Sequence, residues 1–330
     1  MLAELQGKGL LLHHWDTDGI CSAKLLLNKL FNRDVINKTP ELGNYFLTEK
    51  ELKNYSKYDF IIIVDMSLPE NNVCTLANNG KVMIFDHHLG KEIKEVFHHN
   101  PIIKGENPDQ YPSASWIVNE YLKNEINLFS ILGIVGDHEQ KIHNNSYFND
   151  LITNFCTQLK ITFKDLLQMV YLLDSNYKIG DKIAVENAPN FLLNHGEIKD
   201  ILQHKQWNNN LNTLNNEITT QLAIRNDEIN GVIIKKIHSS YNIISTITRK
   251  VAWESGKNTI VINTGFFNDK NQLYVRSTKN LESMIKRGKS LGFKCGGKKE
   301  VLGAIIPNNQ TDSFVEEILN FLNEKKRLKI

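Results

Sequence analysis

The sequence predicts an α/β protein in which a doubly wound, mostly parallel N-terminal sheet is joined by a helical linker to a smaller C-terminal α/β domain. Short, continuous runs of β-branched and other apolar residues in the first half are typical of strands that are buried on both faces. Segments with helical apolar spacing alternate with these runs, which is the pattern of a doubly wound sheet. The 330 residues are enough for two domains of about 150 residues each. We therefore assign residues 1–186 to the first domain, 187–228 to the linker and 229–330 to the second domain.

Three predicted strands in the first half, at 10–12, 60–64 and 81–85, each run into acidic or histidine residues. The residues that follow these runs are His14, Asp16, Asp18, Asp65, Asp86, His87 and His88. In open α/β sheets, ligands bind beyond the carboxyl ends of the strands. We therefore expect these side chains to converge at one edge of the sheet, although they lie far apart in the sequence.

Helices are predicted between and after these strands. The spacing of apolar residues favours helices at 22–31, at 71–79, where Gly80 is a natural helix stop, and at 151–176. The apolar segment 129–138 fits either a helix or a strand, because its periodicity does not decide between them. The segment 187–225 is rich in Asn, Gln and Leu and has helical apolar spacing, which indicates the helical connector.

The pattern changes after Gly231, where a second set of strands and helices begins. Strands are predicted at 232–234, 258–264 and 272–277, with a polar hairpin turn at 268–271. Helices are predicted at 243–254, 281–291 and 314–326. A glycine-rich loop is predicted at Gly296 and Gly297. We interpret this half of the chain as a second, smaller α/β domain.

Composition and charge exclude several classes of protein. Lys and Arg total 39 and Asp and Glu total 37, the net charge is +2, and the mean hydropathy is −0.34. With 41% hydrophobic residues the chain can bury a sizeable core, which excludes a disordered or fibrous protein. Because the net charge is only +2, any binding to nucleic acid must depend on local clusters of charge rather than on net charge.

The sequence also predicts a cytoplasmic protein without a membrane partner. No apolar run approaches the roughly 18 residues of a membrane span, and the first residues lack the basic region of a signal peptide. The four cysteines, Cys21, Cys74, Cys156 and Cys295, are far apart and form no C-x-x-C pair. We therefore expect buried thiols in a reducing compartment rather than disulfides or a structural zinc site.

The acidic and histidine residues at the strand ends predict a site for divalent metal ions. His14, Asp16 and Asp18 alternate in sequence, and alternate residues of a strand point the same way. Carboxylates that crowd together repel one another unless a cation lies between them. Carboxylate and imidazole ligands suit Mn²⁺ better than a thiolate-bound zinc, and two metal ions that share a carboxylate are used to hydrolyse phosphate esters.

The other histidines are expected outside this site. His13 should face the opposite side of its strand and pack in the core. His98 and His99 are expected on a loop or helix, and His138 is expected there too, closer to the site.

These motifs are similar to those of the DHH phosphoesterase family, to which the RecJ nucleases belong. In the order of the family, the motifs match His14-x-Asp16-x-Asp18, Asp65, Asp86-His87-His88 and Gly136-Asp137. The resemblance implies two Mn²⁺ ions, with Mg²⁺ as the alternative. It implies that His14, Asp16 and Asp65 hold one ion, and that Asp18, Asp65, His87 and Asp137 hold the other. It also implies that His88 acts beside the ions as a phosphate or proton partner, and that Asp86 orients an imidazole.

The second half resembles the DHH-associated domain, in which an arginine on a strand and a Gly-Gly-Gly-His loop hold the substrate phosphates. The resemblance assigns substrate binding to Arg276, Gly296, Gly297 and Lys298. Lys298 departs from the family, because it stands where the family has histidine. Nearby basic residues predict a positively charged face suited to a phosphate backbone, namely Lys279, Lys286, Arg287, Lys289, Lys294, Lys298 and Lys299.

The resemblance implies a Mn²⁺-dependent, RecJ-like exonuclease that hydrolyses single-stranded DNA or short oligonucleotides in DNA replication or repair, using a water activated by two metal ions. Two alternatives stay open. The same chemistry could act on a dinucleotide or a nucleoside bisphosphate. The chain could instead be a replication scaffold that binds the GINS complex with weak or no catalysis. The complete set of metal ligands favours an enzyme, whereas the altered loop at Lys298 favours the scaffold.

Overall fold

The computed structural model describes residues 2–323, apart from the side chain of Lys298. The chain divides into two compact units, with the boundary between Leu211 and Asn212, inside the segment 187–228 that was predicted as the linker. Over the described residues, every helix is too short or too polar to cross a bilayer.

The first unit contains a five-stranded sheet in which neighbouring strands are parallel. Its strands are β1 (Gly9–His13), β2 (Val35–Lys38), β3 (Phe60–Val64), β4 (Lys81–Phe85) and β5 (Phe97–His99), in the order β2-β1-β3-β4-β5. His13 is in register with Val64, and Val64 with Phe85. The three central strands therefore end at the same level, and the residues that follow them meet at one sheet edge.

Helices cover both faces of this sheet. They are α1 (Thr17–Lys29), α2 (Glu49–Tyr55), α3 (Glu70–Ala77), α4 (Ala114–Tyr121), α5 (Leu128–His138), α6 (Ser146–Leu159), α7 (Phe163–Ile179), α8 (Lys182–Asn194), α9 (Ile198–Leu202) and α10 (Lys205–Ala223), which crosses the boundary between the units. Ile62 of β3 packs into the large core with α1 and α4 to α8, whereas Ile61 packs into a smaller core with α2 and α3. This alternation confirms the predicted doubly wound sheet.

The second unit is built on a mixed six-stranded sheet. Its strands are β6 (Asp227–Ile229), β7 (Val232–Ile237), β8 (Thr259–Asn263), β9 (Lys270–Arg276), β10 (Lys294–Lys298) and β11 (Val301–Pro307), in the order β10-β11-β9-β8-β7-β6. The β7–β8 pair is parallel, and the other pairs are antiparallel. One face packs against α12 (Glu282–Ser290) and α13 (Thr311–Asn323), and the other against α11 (Ile244–Ser255) and the second half of α10.

Several elements differ from the sequence prediction. Segment 129–138, which periodicity left undecided, is α5. The single helix predicted at 151–176 is two helices, because Lys160 ends α6 in a left-handed conformation and Thr162 caps α7. Gly296 and Gly297 lie in β10 rather than in a loop. The last residues of the helix predicted at 314–326 lie outside the described residues.

The cysteines form no disulfide and differ in exposure. Cys21 and Cys156 are buried as expected, whereas Cys74 and Cys295 are partly exposed, so the prediction of four buried thiols is wrong for these two. Burial raises the pKa of Cys21 and of Cys295 above the ordinary value for a thiol, which leaves both protonated near neutral pH.

Candidate metal centre

The carboxyl ends of β1, β3 and β4 place His14, Asp65 and Asp86 side by side. Asp65 follows β3 with φ at 58°, in the left-handed region that Asp tolerates better than most residues. Its backbone N–H still donates to the carbonyl oxygen of Phe85, at 2.9 Å. The in-register sheet therefore fixes the backbone of Asp65 between the ends of its neighbouring strands.

The segment after β1 reaches the site differently from the sequence prediction. β1 ends at His13, so Asp16 and Asp18 are not alternate strand residues. Instead, Asp16 is the N-cap of α1, and Asp18 lies in the first turn of that helix. Gly19 is needed for this tight turn, because a Cβ there would lie 2.4 Å from the carbonyl oxygen of His14. A helix N-terminus, not a strand, therefore presents these two carboxylates.

Asp18 is held by the start of a second helix. The backbone N–H groups of Ala114 and Ser115, in the first turn of α4, donate to its two carboxylate oxygens at 2.6 and 2.9 Å. Unpaired amides and the helix dipole at an N-terminus both favour a negative charge. Burial, reinforced by Asp16, nevertheless raises the pKa of Asp18 to about 6.

Asp65 lies between two groups of candidate ligands. Its Oδ2 is 3.6 Å from Nδ1 of His14, which is itself 2.8 Å from Oδ2 of Asp16. Its Oδ1 is 3.4 Å from Nε2 of His87, which is itself 3.1 Å from Oδ2 of Asp137. The two oxygens of one buried carboxylate therefore face different sets of ligand atoms.

The structure brings together the predicted site residues of the first unit. Three sets have ligand atoms within 4.8 Å of one another: His14, Asp16 and Asp65; Asp18, His87 and Asp137; and Asp65, His87 and His88. In the second set, Nε2 of His87 is 4.0 Å from Oδ2 of Asp18. Asp86 joins the site through His88, whose Nδ1 is 2.7 Å from its Oδ1.

The electrostatics of this cluster fit a bound cation. Burial, with Asp18, Asp16 and further neighbouring carboxylates, raises the pKa of Asp65 well above its ordinary value. Nε2 of His14 and Oδ2 of Asp65 are buried without a hydrogen-bond partner among the described residues. A divalent ion would reduce the repulsion between these carboxylates and would give the unpartnered nitrogen and oxygen atoms a partner. The mixture of carboxylate oxygen and imidazole nitrogen suits Mn²⁺, and its oxygens suit Mg²⁺.

Asp86 and His88 form a charged pair at the side of the cluster. Burial opposes charge on both groups, but their mutual contact outweighs it, so the pKa of Asp86 is lowered and that of His88 is raised. The His88 side chain is about half exposed, at 48%, whereas Asp86 is buried. This arrangement can present a protonated imidazole to an anionic ligand.

The remaining histidines occupy other positions. His13 is fully buried, and its Nε2 lies 3.1 Å from the amide nitrogen of Asn37, which agrees with its predicted place in the core. His98 and His99 lie on β5, so their prediction as loop or helix residues is wrong. His138 ends α5, and its Nε2 is 3.0 Å from the carbonyl oxygen of Pro112.

Two further residues next to the cluster were not predicted from the sequence. Tyr45 is 64% exposed, and its ring stacks on that of His14 with 5.8 Å between centroids. Asp174 of α7 accepts hydrogen bonds from the N–H and hydroxyl of Thr17, at 3.0 and 2.7 Å, and so supports the start of α1. Neither residue belongs to a motif, and both are distant in sequence from the groups they contact, so no local signal could have identified them.

The predicted substrate-binding residues of the second unit lie on two strands. Arg276 is the last residue of β9, and Gly296 and Gly297 lie in the edge strand β10. Gly297 must be glycine, because its φ is 148° and a Cβ there would lie 2.0 Å from the carbonyl oxygen of Val301. The side chain of Lys298 lies outside the described part of the structure.

The predicted basic face is smaller than the sequence suggests. Arg287 forms a two-pronged ion pair with Glu317, at 2.9 and 3.1 Å. Lys279 donates to the carbonyl oxygen of Phe321 at 3.0 Å. Two cations of the predicted basic face therefore already have partners within the second unit.

The first half of the chain matches a known family. The family model described as the DHH family, N-terminal domain, matches residues 10–155. Compared with curated protein sequences, the chain has no significant match.

Solved structures share the fold over most of the chain. RecJ in complex with Mn²⁺ from Thermus thermophilus is similar with a TM-score of 0.72 and 12% identity, over 96% of this chain and 52% of that chain. A DHH domain from a member of the s1p family of ribosomal proteins has a TM-score of 0.71 and 12% identity, over 97% and 87%. The pGpG-specific phosphodiesterase PggH from Vibrio cholerae has a TM-score of 0.56 and 15% identity, over 96% and 99%. The chain thus spans about half the length of the Thermus RecJ chain, and at these identities the likeness shows a common fold.

Proposed function

Because residues 10–155 match the model of the DHH family, N-terminal domain, and the chain shares its fold with RecJ, we propose that the protein is a Mn²⁺-dependent phosphodiesterase that hydrolyses single-stranded DNA or short oligonucleotides. The observation that carries the proposal is the position of Asp65. One of its oxygens faces His14 and the other faces His87. A carboxylate shared in this way is typical of two-metal sites that hydrolyse phosphate esters.

The ligand assignment follows these contacts. We assign His14, Asp16 and Asp65 to one divalent ion, and Asp18, Asp65, His87 and Asp137 to the other. Bound ions would lower the pKa of water and offset the charge that develops around phosphorus. The amides of Ala114 and Ser115 keep the Asp18 carboxylate oriented without help from a metal.

His88 would act on the substrate directly, and Asp86 would act through His88. The half-exposed imidazole of His88, whose protonated form is favoured by Asp86, can donate a hydrogen bond to a phosphate oxygen or a proton to the leaving oxygen. Asp86 fixes the imidazole orientation through its 2.7 Å contact with Nδ1. Arg276 would supply a planar, two-pronged donor for a second phosphate of the substrate.

The direct test is cleavage of end-labelled single-stranded DNA and RNA and of a dinucleotide, with and without Mn²⁺, with products separated by length. We expect Mn²⁺-dependent shortening of the single strands. Asp65→Asn is the matched inactive control, because it preserves the size of the side chain and removes its charge. Resistance of single strands with cleavage of the dinucleotide would replace this proposal with the small-molecule alternative.

A small-molecule substrate is supported by one of the similar solved structures. The chain covers 99% of the pGpG-specific phosphodiesterase PggH, with 15% identity and a TM-score of 0.56. A dinucleotide or nucleoside bisphosphate is therefore our second candidate substrate, with the same ligands and the same chemistry. A GINS-binding scaffold is favoured only if the protein binds Mn²⁺ but cleaves neither class of substrate.

Replacing Arg276 with Ala should mainly weaken substrate binding. A hydrogen bond from a charged group contributes about 1.5–3 kcal/mol, so we expect KM to rise by roughly 10- to 100-fold with little change in kcat. Steady-state kinetics on a short oligonucleotide would measure both constants. Arg287→Ala is the matched control, because Arg287 already pairs with Glu317. An unchanged KM with a collapsed kcat would contradict a binding role for Arg276.

A further inference from the structure

A solvent-exposed tryptophan lies near the end of α11 in the second unit. The side chain of Trp253 is 60% exposed, whereas the other tryptophans, Trp15, Trp116 and Trp207, are at most 6% exposed. Indole is large and apolar, so leaving it in water forgoes the free energy of burial. Its exposure alone does not indicate a function, but its neighbours do.

Two guanidinium groups lie against this indole. The Cζ atom of Arg249, one turn earlier in α11, is 5.4 Å from the centroid of the Trp253 ring, and that of Arg276 is 5.9 Å away. Both distances are within the range of a cation–π interaction. The β-sheet places Arg276 near the end of α11. Arg276 pairs with Thr259, the first residue of β8, and β8 begins shortly after α11 ends. Two elements of one unit thus build a compact surface of one indole and two cations.

The chemistry of this surface favours single-stranded nucleic acid. Such a strand presents flat bases, which stack on aromatic side chains, and phosphates, which arginine binds through two parallel hydrogen bonds. A short single strand can therefore contact the indole and the guanidinium groups at the same time. A protein partner would have to combine an apolar group with carboxylates at the same spacing.

We propose that Trp253 and Arg249 form a subsite for a single-stranded oligonucleotide, in which a base stacks on Trp253 and an adjacent phosphate binds Arg249. The subsite would act beside Arg276, which is already assigned to a substrate phosphate. This inference rests on the proposed function and narrows its substrate to a strand with a base to stack, rather than a phosphate ester alone.

The test is binding of a short fluorescent deoxythymidine oligonucleotide to the full chain, measured by anisotropy without divalent metal so that the probe stays intact. We expect Trp253→Ala to weaken binding by about tenfold, within the usual range for loss of one base-stacking contact. Trp253→Phe should retain most of the affinity, because a smaller aromatic face remains. An abasic oligonucleotide of equal length should bind more weakly, and with the same affinity to wild type and to Trp253→Ala.

Two further measurements separate stacking from charge. Arg249→Ala should weaken binding and reduce the slope of log affinity against log salt by about one. Lys250→Ala, which removes the same charge from the neighbouring exposed position of α11, is the control and should change affinity by less than about twofold. Because Trp253 is the exposed tryptophan, the oligonucleotide should also quench the intrinsic fluorescence of wild type but not of Trp253→Phe.

The outcomes distinguish this inference from the proposed function. If wild type cleaves and binds single strands and Trp253→Ala does so equally well, the subsite is wrong and the proposed function stands. Equal binding of normal and abasic oligonucleotides also overturns the subsite. If wild type neither binds nor cleaves single strands, both fail. If Trp253→Ala alters the oligomeric state but not oligonucleotide binding, the surface is a protein contact and the inference is wrong.

Discussion

Asp65→Asn is expected to abolish Mn²⁺-dependent hydrolysis while leaving the metal-free protein at least as stable as wild type. Asp65 is the carboxylate whose oxygens face both His14 and His87, so its loss removes a ligand from each proposed ion. We expect activity to fall on the order of 10³-fold or more. Asn keeps the size of the side chain and, like Asp, tolerates the left-handed φ of 58° at this position.

The effect on stability follows from the raised pKa of Asp65. In the metal-free folded state this carboxyl holds its proton more tightly than in the unfolded chain, because of burial and the neighbouring carboxylates. The folded state therefore binds more protons, and its stability falls as pH rises above about 4, the unfolded value, towards the raised folded pKa. Asp65→Asn should flatten this part of the pH profile and raise the free energy of unfolding at neutral pH.

Denaturant unfolding at several pH values, with and without Mn²⁺, measures both effects. Wild type should be stabilised by Mn²⁺, and Asp65→Asn should lose most of that stabilisation. Asp65→Ala should lose activity equally but be less stable than Asp65→Asn, since a left-handed alanine costs about 1–2 kcal/mol. Near wild-type hydrolysis by Asp65→Asn would show that Asp65 does not bridge two ions.

The convergence at Asp65 could be predicted because β3 and β4 can be recognised as strands from their own sequences. The run at 60–64 is continuously apolar, the run at 81–85 is apolar after Lys81, and the structure has strands with these same bounds. Parallel strands in register end at the same edge, so the next residues, Asp65 and Asp86, had to be neighbours. In a parallel sheet, residues that follow strands far apart in the sequence thus lie next to one another in space.

Short and polar strands could not be predicted in the same way. β2 and β5 have four and three residues, and β5 consists of Phe97, His98 and His99, which offers no apolar period. Gly296 and Gly297 have low strand propensity and suggested a loop, yet they form β10 by pairing with β11. In each case, the neighbouring strand imposes the conformation, and this information is not present in the local sequence.

The support beneath the ligands is also a long-range property. Asp18 takes its hydrogen bonds from amides of Ala114 and Ser115, nearly a hundred residues away. Thr17 is bonded to Asp174, which is more distant still. Motif spacing identifies which residues carry the chemistry, whereas the residues that hold them in place are chosen by how α1, α4, α5 and α7 pack.

Gly133 shows how closely that packing approaches the site, and Gly133→Ala should disrupt it. Gly133 lies in α5, and a Cβ there would be 1.9 Å from Oγ of Ser115 and 2.2 Å from Oδ1 of Asp18. Real Cβ contacts do not come so close, so either α5 must move or the Asp18 carboxylate must leave its place. We expect a loss of about 1–3 kcal/mol in the free energy of unfolding, as for an overpacked core. Because Asp18 would be displaced, Mn²⁺ affinity should fall by roughly 10- to 100-fold.

Denaturant unfolding of the metal-free protein and calorimetric titration with Mn²⁺ would measure these two losses separately. Gly90→Ala is the matched control, because Gly90 follows the Asp86-His87-His88 motif but its Cβ would meet only Oγ of Ser67, at 3.7 Å. The control should retain wild-type stability and metal affinity. Normal Mn²⁺ affinity in a destabilised Gly133→Ala would show that Asp18 can leave its amide cradle and still leave the ions bound. Asp18 would then act as a support for α4 rather than as a metal ligand, and the second ion would rest on Asp65, His87 and Asp137.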